Sequence, residues 1–153
     1  MARILIADDD ELIAALASEV LIDAGHACGW VTSAEEAWRC IGRKRPDILL
    51  LDQSMPGESG MSLLRRLRRS AQFYDLPVMM FTTMQGEQDE LQAIYAGAQD
   101  FVSKPFDPVN LVARISRMIK LRAGRPRHVD LVSAVREQSL AAPLATPPLR
   151  RMI

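Results

Sequence analysis

Cysteine and histidine are scarce in this chain, with two of each: Cys28, Cys40, His26 and His128. Two cysteines so placed build neither a disulfide framework nor a zinc pattern. They read as core thiols of a reducing cytosol, so a cytoplasmic protein is expected. Neither histidine has a Ser or Cys signature beside it, which leaves no nucleophile–histidine triad to consider. Charge of one sign is also lacking, because 19 Lys and Arg balance 19 Asp and Glu. That excludes an overall basic field for direct nucleic-acid binding and an acidic tail. No apolar run approaches the roughly 20 residues of a membrane span. Charged residues arrive by Asp8, so neither a membrane segment nor a signal peptide is expected. The phosphate-cradling run Gly-x-x-x-x-Gly-Lys-Ser/Thr is missing as well.

What is present suits a globular protein. Of 153 residues, 48% are hydrophobic and 25% charged, enough for one cored domain and a short extension. Short apolar runs alternate with amphipathic stretches up to Arg122. The strands are Arg3–Ala7, His26–Val31, Asp47–Asp52, Pro77–Phe81 and Asp100–Ser103. Between and after them lie helical stretches. Glu11–Ala24 sets Leu12, Leu16, Val20 and Leu21 along one side and stops at Gly25. A Ser-x-x-Glu capping box, Ser33 to Glu36, opens a helix through Gly42. Ser59–Ser70 turns Leu63, Leu64 and Leu67 inward and a basic face outward, and that basic run reads as solvated. Glu87–Ala98 is closed by Gly97, and Asp107–Arg122 has Asp107 as N-cap and Pro108 in the first turn.

Five β-α units whose strands are apolar on both faces imply a parallel sheet covered on both sides. Ligands of such sheets bind beyond the carboxyl ends of the strands. Those ends carry Asp8, Asp9 and Asp10; then Asp52; then Thr82 and Thr83; then Lys104 and Pro105. Adjacent carboxylates repel and raise one another's pKa values, a cost that a bound divalent cation offsets. Asp10 reads as a helix cap, and Asp47, at the opposite sheet edge, as a solvated residue. An Asp can attack phosphorus and form an aspartyl phosphate. A metal and a Lys lower the repulsion between that anion and the phosphoryl oxygens.

The motifs "ILIADDDE", "PDILLLDQSMPGESG", "PVMMFTT" and "DFVSKPF", in this order at strand ends, resemble the receiver domain of two-component response regulators. The resemblance runs from about Arg3 to Arg122. It implies a flavodoxin-like α/β fold: a doubly wound five-stranded parallel sheet, order 2-1-3-4-5, flanked by five helices. By the same resemblance Asp52 is the phosphoacceptor, and Asp8 and Asp9 position Mg²⁺ with Asp52 and the backbone carbonyl of Ser54. Thr82 is the switch hydroxyl, and Lys104 the cation that pairs with the phosphoryl group. The Lys104–Pro105 bond is expected cis, and Phe101 is the rotating aromatic, here without a hydroxyl. Pro56 and Gly60 shape the loop after the acceptor. The protein is then a switch and not an enzyme in the ordinary sense. Its phosphoryl donor is a histidine kinase or a histidine phosphotransfer protein. Its fourth helix, fifth strand and fifth helix form the face that docks a partner or a second copy.

Two other function classes share parts of this pattern. A dehalogenase-type enzyme would use Asp8 and Asp10 as nucleophile and acid, but Glu11-Leu12 stands where its Gly-Thr belongs. A receiver that never accepts phosphate would be an interaction module, against which Asp8, Asp9, Asp52, Thr82 and Lys104 all stand intact. Residues 1–122 read as the receiver domain and 123–153 as an extension, with a short helix near 128–140 and then a Pro-rich tail. The extension holds five Arg against Asp130 and Glu137. Either it is the docking tail of a single-domain regulator, or the chain is a receiver from a longer protein, such as a diguanylate cyclase regulator.

Overall fold

The computed structural model describes residues 1–83, 92, 94 and 96–123. Met1–Ile119 form one compact unit. Its sheet has five strands: β1 (Arg3–Ala7), β2 (Ala27–Val31), β3 (Ile48–Asp52), β4 (Val78–Thr82) and β5 (Asp100–Ser103). All neighbours pair in parallel, in the order β2-β1-β3-β4-β5. The described residues hold four helices: α1 (Glu11–Asp23), α2 (Ala34–Arg43), α3 (Gly60–Arg69) and α4 (Pro108–Ala123). The helix expected over 87–98 lies largely outside the described residues, though Gln92 and Ile94 are helical. The short helix near 128–140 and the Pro-rich tail lie wholly outside them.

The sheet separates two hydrophobic clusters. One face sets Leu49, Leu51 and Met80 against Ala37, Ile41, Leu63 and Leu67 of α2 and α3. The other sets Ile4, Ile6, Leu50 and Phe81 against Ala14, Ala17, Leu21, Leu111 and Ile115 of α1 and α4. Successive strand residues point to opposite faces, so β3 feeds both clusters and all five of its residues are buried. This is why "ILLLD" is continuously apolar until its last residue.

Capping residues fix where the helices start. Asp10 accepts from the backbone N–H groups of Leu12 and Ile13 at 3.1 and 3.2 Å. Ser33 accepts from Glu36 N–H at 3.2 Å, while Glu36 reaches back to accept from Thr32 N–H at 3.4 Å. Asp107 accepts from Val109 N–H at 3.3 Å.

Several expectations are corrected. α1 buries Ala14, Ala17, Ser18 and Leu21, whereas Leu12 and Leu16 are 68% and 44% exposed. Small side chains let the helix lie close to the sheet, and the bulky leucines are left outside. Asp47 is half-buried, and its carboxylate accepts from Arg3 N–H at 2.8 Å, which ties the entry of β1 to that of β3. Cys28 and Cys40 are half-buried rather than core residues. The basic face of α3 is more than solvated charge. Arg66 pairs with Glu58 and lies 4.3 Å from the centre of the Trp38 ring. Arg68 donates to Gly97 O at 2.8 Å, Tyr74 O at 3.1 Å and Gln99 Oε1 at 2.9 Å. No helix among the described residues is long and apolar enough to cross a membrane.

Candidate functional site

Parallel pairing delivers the strand ends to one edge. The register runs Ala7↔Leu51, Asp52↔Phe81 and Thr82↔Ser103. Asp8 therefore follows β1 at the level where Asp52 ends β3, and Lys104 follows β5 one residue beyond Thr82. Asp8 is fully buried, Asp52 is 5% exposed, and Asp9 is open to solvent. One carboxylate oxygen from each lies within 4.8 Å of the other two.

Lys104 enters this acidic cluster from β5. Its Nζ stands 2.5 Å from Asp8 Oδ2 and 3.4 Å from Asp52 Oδ1. Below it, the Phe81 ring centre is 5.1 Å away, and Phe106 packs edge-on to Phe81 at 5.5 Å. Backbone donors set the carboxylate orientations: Asp10 N–H donates to Asp8 Oδ1 at 2.9 Å and Ser54 N–H to Asp52 Oδ1 at 3.3 Å. The Lys104–Pro105 bond is cis.

Three carboxylates facing one ammonium leave a formal charge of −2 when all are ionised. Burial first, and then the neighbouring Asp8 carboxylate, push Asp52 up to about 7. Asp9 adds to the rise, while Lys104 and the Ser54 N–H oppose it. The buried Asp8 Oδ2 is met by the Lys104 ammonium. Hard oxygen donors gathered within 4.8 Å of one another and excess negative charge suit a small divalent cation such as Mg²⁺. The residues present fit such an ion.

The loop after β3 is built around Gly60. A Cβ there would stand 2.0 Å from the Asp52 carbonyl oxygen, closer than any side chain tolerates, so the start of α3 can cross the tip of β3 only at glycine. Gly60 N–H also donates to Gln53 O at 2.9 Å. Ser54 offers its N–H to Asp52, as described above. Thr82 ends β4 opposite Ser103; its side chain lies outside the described residues. Phe101 is half-buried against the cluster under α3. Arg114 of α4 lies 5.8 Å from its ring centre and donates to Asp100 Oδ1 at 2.7 Å.

Sequence reasoning did not single out Phe81, Arg68 or Arg114. Phe81 directly precedes Thr82 and could have been suspected from that place alone. The two arginines act across 29 and 14 residues of sequence, and no local pattern marks them.

Residues 4–116 match the response regulator receiver domain. The chain belongs to that family. Receiver domains serve two-component signal transduction. This one is 37% identical over 117 residues to the phosphate regulon transcriptional regulatory protein PhoB of Pseudomonas aeruginosa, covering 76% of this chain and 51% of that protein. It is 33% identical over 133 residues to the virulence transcriptional regulatory protein PhoP of Salmonella typhi, covering 87% and 58%. The chain thus spans about half the length of these curated relatives. Among solved structures it resembles a response regulator of Chloroflexus aurantiacus, with TM-score 0.75, 34% identity, and coverage of 78% of this chain and 98% of that one. It also resembles the chemotaxis regulator CheY4 of Vibrio cholerae, with TM-score 0.72, 28% identity, and coverage of 77% and 98%.

Proposed function

We propose that this receiver domain accepts a phosphoryl group on Asp52 and converts it into a change at a docking face. The single observation that carries the reading is Lys104 Nζ beside both Asp8 and Asp52 within a cluster of three carboxylates. An Asp52 carboxylate oxygen forms a bond to phosphorus, and the bond from phosphorus to a donor histidine nitrogen breaks. The freed imidazole takes a proton from water. Asp8, Asp9, Asp52 and the Ser54 carbonyl would hold Mg²⁺, which supplies neutralising charge for the phosphoryl oxygens. Lys104 supplies a second positive charge on the same group, at the cost of its contact with Asp8. The dehalogenase-type alternative is disfavoured, because the Asp10 carboxylate caps α1.

Thr82 receives a new partner when the phosphoryl group arrives, and its movement frees room for Phe101 to turn inward. Phosphorylation adds roughly −1.5 to −2 charges, a local event able to bias two states of β5 and α4. The face that includes β5 and α4 then docks a partner or a second copy. The donor is a histidine kinase or a histidine phosphotransfer protein. Residues 1–122 suffice for the chemistry, and 123–153 serve as an extension.

The test uses the full chain with Mg²⁺ and acetyl phosphate, read by intact mass. The expected result is a gain of one phosphoryl group, lost on chelation and absent in Asp52→Asn. Labelling at Asp8, or none in the wild type, would overturn the reading. Light scattering with beryllofluoride reports whether the β5–α4 face then pairs.

A further inference from the structure

The end of the sheet opposite the carboxylates holds a second concave feature. β2 is an edge strand, and its side towards α2 is lined by small residues. Gly29 pairs with Leu5 of β1, and a Cβ built on Gly29 meets nothing within 4 Å. Ala27, on the same side two residues earlier, is exposed too. The C-terminal turn of α2 therefore stands off from β2. Between them runs a groove of about 390 Å³, with Leu5, Ala27, Gly29 and Cys40 among its lining. That volume lies at the lower end of the range for small-molecule sites, about 300–1,000 Å³.

The lip of the groove is basic. Arg3, Arg43 and Lys44 line it, and no acidic side chain does. Arg3 is fixed there by donating to Arg45 O at 3.0 Å. Arg43 and Lys44 are exposed and, among the described residues, make no side-chain hydrogen bond or ion pair. The C-terminus of α2 contributes roughly half a negative charge, which these full cations outweigh. An apolar floor beneath unpaired cations attracts an anion that carries an apolar body. Neither a neutral hydrophobe nor inorganic phosphate would use both halves of the site.

We propose that the groove between β2 and the C-terminal end of α2 binds a small organic anion, its ring or branched chain over Gly29 and its carboxylate or sulfonate at Arg43 and Lys44. The site is separate from Asp52 and lies on the sheet face beside β2, towards the opposite ends of the strands.

The test compares 1-naphthoate with its uncharged counterpart 1-naphthalenemethanol, each titrated into the full chain and followed by amide chemical shifts. The expected result is saturable movement of the Ala27, Gly29 and Cys40 amides with naphthoate, and at least tenfold weaker binding of the alcohol. Gly29→Leu fills the groove and should cost at least tenfold in affinity. Its new side chain points into open space, and a thermal melt reports whether the fold is kept. The double variant Arg43→Gln, Lys44→Gln leaves the floor intact and should weaken naphthoate about fivefold without affecting the alcohol. Equal binding of the two probes, shifts scattered over the surface, or an affinity indifferent to both variants would each overturn the proposal. So would an acidic peptide such as hexaglutamate displacing naphthoate at lower concentration, because the groove would then be a peptide site.

Discussion

The carboxyl of Asp52 holds its proton more tightly in the fold than in an unfolded chain, at about 7 against an ordinary 3.8. Stability linked to that proton is therefore fully present below about pH 3.8 and is lost as pH rises through about 7. An amide cannot ionise and escapes the loss. With metal chelated, Asp52→Asn should be more stable than wild type at pH 8 by about 1–3 kcal/mol. The gap should close towards pH 4 and shrink when Mg²⁺ is added at pH 8; urea unfolding at each pH checks this. Gly60 offers a second test at the same scale. Alanine there gains about 1 kcal/mol of helix propensity but drives a methyl into the Asp52 carbonyl. A net destabilisation of about 2–4 kcal/mol is expected, together with slowed phosphorylation, since the backbone of the acceptor must shift. Asp10→Ala should lose about 1 kcal/mol of cap energy yet still accept phosphate, a combination that mass and melting measurements on one sample would reveal.

Among the elements, α1 shows how far pattern carries. Its length and both ends were readable from Asp10 and Gly25. Its packed face was not, because two apolar stripes compete on this helix. Leu12 and Leu16 stand on the exposed stripe, whereas Ala14, Ala17 and Ser18 with Leu21 are the residues that α1 buries. Leu16→Gln should therefore change stability by less than about 0.5 kcal/mol, and Leu21→Ala should cost about 2–5 kcal/mol. The strand ends were legible for a different reason. Parallel pairing forces every carboxyl terminus to one side, so Asp8, Asp52 and Lys104 could be grouped without any knowledge of side-chain positions. Asp47 and Arg68 escaped because their partners are 44 and 31 residues away. Arg68 holds the end of α3 to the turn before β5 through two hydrogen bonds and to Tyr74, ahead of β4, through a third. Arg68→Ala should destabilise by about 1–2 kcal/mol, as denaturant titration would show.

For the whole molecule, the family match covers residues 4–116 and one compact unit spans Met1–Ile119. A fragment of residues 1–123 should melt in one cooperative transition and keep Mg²⁺-dependent phosphorylation, which calorimetry and intact mass would check. The two clusters divide the labour. β3 lies between them at the middle of the sheet, gripped on both faces, whereas β5 is an edge strand with half-buried Asp100 and Phe101. A strand so clamped cannot travel far, and the acceptor it bears is correspondingly fixed in place. Deuterium should accordingly enter the amides of Leu49, Leu50 and Leu51 last of all, with or without phosphate. The uptake that distinguishes the two states should fall in Asp100–Ser103 and α4, as if β3 were the anvil and β5 the bell.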